Sequence, residues 1–146
     1  MPQKSELGRI LAIDYGQKRV GLAVTDELRM IATALASVHS KDVIPFLKDY
    51  VSHENVDCFV VGYPLTLQNQ LSESARFTEP FVKNLQRTFP SIPVERIDER
   101  FTSKMATAAI LESGARKKVR QNKALVDKVS AVIILQSFLE MKDMKR

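Results

Sequence analysis

Four acidic side chains and one basic run are the residues of this 146-residue chain that could do chemistry. Asp14 closes the apolar stretch Ile10 to Ile13, Asp98 and Glu99 close the stretch Val94 to Ile97, and Asp127 stands near the start of a long apolar segment. A carboxylate at the mouth of a sheet is costly unless something pairs with it, and a divalent cation is one such partner. Clustered carboxylates repel one another, but two Mg2+ or Mn2+ ions about 4 Å apart offset that repulsion and clamp a phosphodiester for in-line attack by water. That chemistry is phosphoryl-transfer hydrolysis. Plainer roles stay open beside it. An aspartate before a glycine also caps a turn by bonding the backbone two residues on, and Asp127 also suits the positive end of a helix.

Basic residues that could hold flanking phosphates lie in three places. Lys18 and Arg19 follow Asp14, and Arg100 follows Glu99, where it could stabilise charge on the scissile group. Between Ala115 and Lys123 come Arg116, Lys117, Lys118, Arg120 and Lys123, with no acid among them. A solvated connector is one reading of this run. Phosphate contact is the favoured one, because like charges packed together repel unless an anion offsets them. His39 and His53 are isolated and expected at the surface. Cys58, the one cysteine, sits inside D-C-F-V-V-G and reads as a small buried hydrophobe.

Elements of an α/β domain are needed to bring the acids together. Ile10 to Asp14 reads as a buried strand, and Arg19 to Thr25 returns as a second strand with Val20, Leu22 and Val24 alternating against Arg19, Gly21, Ala23 and Thr25. Arg29 to Val38 is expected as a short antiparallel third strand. Lys41 to His53 has apolar residues at helical spacing, with Ser40 as its N-cap. Val56 to Val61 reads as a central parallel strand reached by that crossover helix. Ser72 to Phe89 is a second helix, and Pro80 either kinks it or marks where its regular part begins, with Thr78 or Glu79 capping. After the Val94 to Ile97 strand, a third helix runs from a Thr102 or Ser103 cap to Ser113-Gly114. The last helix spans Ala124 to about Met141. Asp127 shares an arc with Ala131, Ile134 and Phe138, so its carboxylate is expected to project from the buried side.

In a mixed five-stranded sheet of order 3-2-1-4-5, Asp14 and the Asp98-Glu99 pair share the C-terminal edge. Two strand spacings, roughly 9 to 10 Å, separate them. Neighbours on a strand face opposite sides, so at most one of Asp98 and Glu99 aims at Asp14.

The length suits one domain over 1–146, with tails at 1–7 and 142–146. The net charge of +5 is compatible with polyanionic partners. No apolar run reaches the ~20 residues of a membrane span, and Met1 to Glu6 lack a signal-peptide core. A cytoplasmic location and no membrane partner are expected. The oligomeric state is open, a homodimer included. The turn Gly16 to Gly21 lacks the G-K-[ST] of a P-loop, and the chain lacks the two domains of actin-like ATPases and sugar kinases, which begin with a similar D-Y-G.

Four blocks together resemble one family. D-Y-G-Q-K-R-V-G-L-A-V (Asp14 to Val24), V-V-G-Y-P-L (Val60 to Leu65), D-E-R-F-T-S (Asp98 to Ser103) and V-D-K-V-S-A-V-I-I-L (Val126 to Leu135) are similar, in order, to the blocks of the YqgF or RuvX family. The resemblance implies an RNase H-like fold, a metal-dependent nuclease using Mg2+ or Mn2+, and maturation of the 5′ end of pre-16S ribosomal RNA. Branched DNA of the Holliday-junction type is the alternative substrate. A nucleic-acid binding module without catalysis is the second alternative. Carried over by position, the family's acids fall on Asp14, on Asp98 or Glu99, and on Asp127. The chain departs from the family after Leu65, where Thr66-Leu67-Gln68-Asn69-Gln70 replaces a segment that often opens with glycine.

Overall fold

The computed structural model describes residues 8–63, 75–98 and 123–144, and for 123–127 and 143–144 it describes the backbone alone. The third helix expected after Thr102, the loop after Pro64 and the residues Glu99, Arg100, Arg116, Lys117, Lys118 and Arg120 lie outside the described residues.

Strand β1 (Arg9–Tyr15) and strand β2 (Arg19–Thr25) form the opening hairpin. The turn between them demands glycine at position 16. Gly16 N–H donates to the Arg19 carbonyl at 3.0 Å, and a Cβ there would stand 2.6 Å from that oxygen. Strand β3 (Ala32–His39), helix α1 (Val43–His53), strand β4 (Val56–Tyr63), helix α2 (Ala75–Thr88), strand β5 (Val94–Asp98) and helix α3 (Lys123–Met144) follow in chain order. The sheet order is β3-β2-β1-β4-β5, the order expected from the sequence. β2 runs antiparallel to β1 and β3, while β1, β4 and β5 are parallel.

Both sheet faces are covered, so the central strands are apolar throughout. Leu11, Ile13, Val20, Leu22, Phe59 and Val61 pack under α1 and α2, joined by Val43, Leu47, Phe81, Val82 and Leu85. Ile10, Ala12, Ala23, Val60 and Ile97 pack under α3, joined by Ala131, Ile134, Leu135 and Phe138. Burying the larger of these side chains contributes about 1.5 to 3 kcal/mol each. The double cover also corrects the two-faced reading of β2. Ala23 and Thr25 are buried too, and the Thr25 hydroxyl is satisfied by the Ile10 N–H at 2.9 Å.

Three further boundaries differ from expectation. Asp42, not Ser40, occupies the α1 N-cap. Ser40 is committed elsewhere, because its hydroxyl donates to the Gln17 carbonyl at 2.8 Å and its N–H to the Lys18 carbonyl at 3.0 Å. Helix α2 continues on both sides of Pro80, so neither Thr78 nor Glu79 caps it; Thr78 is buried, and Glu79 pairs with Arg96. Helix α3 continues to Met144, into the stretch expected as a tail. Lys142 lies over the Phe138 ring there, at 5.3 Å, an interaction one helical turn back.

Candidate active site

Strand alternation decides which face each acid occupies. Ile10 and Ala12 lie on the α3 side of β1, so Asp14 continues that side at the C-terminal end of the strand, where it is half-buried. Its register partner on β2 is Gly21. On the other flank, Ile13 pairs with Val61, and one step on Gly62 lies beside Asp14. Both register neighbours at the level of this carboxylate are therefore glycines.

Helix α3 brings the second acid to the same level. Phe138 and Lys142, near its C-terminal end, line a cleft of about 210 Å³ with Ile10 and Cys58, at the N-terminal ends of β1 and β4. The helix therefore runs antiparallel to β1. From Phe138 back to Asp127 it rises about 16 Å, while β1 rises about 13 Å from Ile10 to Asp14. Asp127 is in line with the sheet-facing residues Ala131, Ile134 and Phe138. Its backbone position is thus level with Asp14 and on the side of the helix that faces the sheet.

Asp98 is placed differently. Ile97 packs on the α3 side, whereas Arg96 reaches α2, so Asp98 alternates onto the α2 side. It pairs in register with Tyr63, one step beyond the level of Asp14. Asp14 and the backbone position of Asp127 are thus on the same face of the sheet, and Asp98 is on the other. Among the described residues no group of three metal-ligating side chains is gathered.

The charged groups divide by location. Lys18 and Arg19 are exposed on the β1–β2 turn, at the same edge as Asp14. Lys123 opens α3, the helix that carries Asp127. His39 and His53 are exposed, as expected. Burial pushes the Cys58 thiol up to about 11, so it is inert as a nucleophile at neutral pH and serves packing.

One arginine escaped the sequence reading. Arg96 on β5 donates to both Glu79 carboxylate oxygens at 2.9 and 2.7 Å, to the Val61 carbonyl at 3.2 Å and to the Gly62 carbonyl at 3.1 Å. Its guanidinium carbon also lies 4.9 Å from the centre of the Tyr63 ring. It fixes the end of β4, where Gly62 flanks Asp14, and holds the Glu79 carboxyl below its ordinary range. The one signal in the sequence was a charged residue between strand formers in V-E-R-I-D. On the neighbouring strand, Tyr15 stacks on Phe81 of α2 at 4.3 Å, and burial raises its phenol.

Comparison with known proteins accords with this geometry. A protein of Parabacteroides distasonis named "Putative pre-16S rRNA nuclease" is 56% identical over 93% of this chain and 97% of its own length. A protein of Porphyromonas gingivalis with the same name is 54% identical over 94% of this chain and 99% of its own. Among solved structures, T. thermophilus RuvC in complex with a Holliday junction substrate superposes with a TM-score of 0.53 at 16% identity, covering 92% of this chain and 96% of that one. That likeness shows the fold, which is RNase H-like. A family model described as "RuvX: Holliday junction resolvase" matches residues 8–141. With a match over nearly all its length and relatives at these identities, the chain belongs to the RuvX family.

Proposed function

We propose that this protein is a metal-dependent nuclease that hydrolyses phosphodiester bonds and matures the 5′ end of pre-16S rRNA in the cytoplasm, where that precursor is made. One observation carries the reading: Asp14 ends the central strand between two glycines, and the Asp127 position of α3 stands level with it. All-oxygen carboxylate donors suit Mg2+ or Mn2+. We assign the third ligand to Glu99. Asp98 alternates to the far side of the sheet from Asp14, which leaves the acid beside it in the sequence. Asp14, Glu99 and Asp127 would then hold the metal, which when bound offsets charge on the scissile phosphate and lowers the pKa of a bound water. The chain's own share is to fix those carboxylates, through Gly16 in the turn and Arg96 at the end of β4. Lys18, Arg19, Arg100 and the run Arg116, Lys117, Lys118, Arg120 and Lys123 would hold neighbouring phosphates.

The names of the relatives support the RNA substrate. The description of the matching family supports a second reading, resolution of four-way DNA junctions. Purified protein with Mn2+ or Mg2+ should cut RNA spanning the 5′ junction of 16S rRNA, and Asp14→Asn should abolish cutting while RNA binding persists. Equal cutting by the variant would sink the catalytic assignment. Faster cutting of four-way DNA junctions would establish the second reading, and binding without cleavage under every metal would leave a binding module.

A further inference from the structure

The β1–β2 turn and the end of β3 are fastened into one ledge. Arg19 and His39 are register partners, and the two Ser40 hydrogen bonds to Gln17 and Lys18 tie the residue after β3 onto the turn. Lys41 N–H donates to His39 Nδ1 at 3.1 Å. Because Nδ1 accepts, the ring proton is on Nε2, which leaves that N–H as a donor. Lys18, Arg19, His39 and Lys41 are all exposed. Asp42, the acid that follows, stands at the positive end of α1, which offsets its charge. The ledge shares the sheet edge that carries Asp14 and extends from it by two strand spacings, about 10 Å.

The chemistry of the ledge selects a partner. It offers cations and hydrogen-bond donors with no exposed large apolar side chain. Leu28, Met30, Ile31, Phe77 and Met141, the exposed large hydrophobics among the described residues, all lie elsewhere. Protein partners and membrane surfaces need apolar anchors, whereas a phosphodiester backbone is held by charge and donors alone. We propose that the ledge is a track for the substrate strand, on which phosphates beyond the scissile bond pass over the β1–β2 turn to the end of β3 and are held by Lys18, His39 and Lys41. This rests on the nuclease reading of Asp14, and it adds a direction in which the strand leaves the site.

The test titrates single-stranded RNA binding against salt in full-length Asp14→Asn protein, so that binding is read without cleavage. Lys18→Ala and Lys41→Ala should each weaken binding several-fold and flatten the log–log salt slope by about 0.7. His39→Ala should weaken binding as well. Lys48→Ala, an exposed lysine on α1, should change neither. All four side chains are exposed, and thermal melts check that each variant folds. Unchanged affinity and slope in Lys18→Ala and Lys41→Ala, in a protein that binds RNA and whose wild type cuts it, would overturn the track and leave the nuclease reading standing. A wild type that neither binds nor cuts RNA would overturn both.

Discussion

Replacing Arg96 with methionine should destabilise the protein by about 2 to 3 kcal/mol, a figure set between the limits for exposed and buried ion pairs. The side chains of Arg96 and Glu79 are 24% and 33% exposed, so water screens the pair in part. A fully exposed pair contributes about 0 to 1 kcal/mol, and removing one partner of a fully buried pair costs 3 to 5. Methionine preserves much of the stem packing but leaves Glu79 and the Val61 and Gly62 carbonyls without their donor. Glu79→Gln keeps a hydrogen-bond acceptor and should cost about 1 kcal/mol. Urea melts of both variants and of the double variant at pH 7 give the coupling, expected at about 1 to 2 kcal/mol. The pH dependence has a definite sign. Hydrogen bonding to Arg96 depresses the Glu79 carboxyl from its ordinary 4.5. A depressed carboxylate stabilises the fold above its ordinary value and ceases to as pH falls through the folded value. The gap between wild type and Arg96→Met should therefore be full at pH 7 and narrow below about 4.5. A loss under about 0.5 kcal/mol, typical of a neutral surface change, or a gap that ignores pH, would refute the reasoning.

Other outcomes follow from single contacts. Gly16→Ala sets a Cβ 2.6 Å from the Arg19 carbonyl, so the turn must open; a loss of about 1 to 2 kcal/mol in thermal melts, with a larger fractional loss of cleavage, is expected. With its thiol pushed up to about 11, against an ordinary 9.0, Cys58 should be alkylated at pH 8 about a hundredfold more slowly in the folded protein than in urea, and equal rates would show the thiol to be accessible. Asp98→Asn should retain most cleavage and Glu99→Gln should lose it; the reverse result would place the third ligand on the other side of the sheet.

The periodicity of the sequence carried the sheet order because each apolar run was the right length for its element and the crossovers admit few topologies. The buried arc of α3 was legible for the same reason, since Ala131, Ile134 and Phe138 follow one another at helical spacing. What escaped depends on tertiary partners. Ser40 has the composition of a cap, yet the neighbouring turn offered its hydroxyl a carbonyl. Alternation in β2 does not tell what lies on its second face, and the position of α3 shows that face to be covered. Arg96 became visible once α2 was seen to bring Glu79 above β5. That Gly21 and Gly62 share the level of Asp14 is a fact of register between strands.

Convergence of three carboxylates on one cation site is the central claim, and calorimetric titration of Mn2+ into the nucleic-acid-free protein tests it most directly. Asp14→Asn, Glu99→Gln and Asp127→Asn should each weaken Mn2+ binding at least tenfold, with Asp98→Asn close to wild type and all four variants folded. Unchanged Mn2+ affinity in Asp14→Asn and Asp127→Asn would contradict the account, since the proposed cation site rests on those two acids.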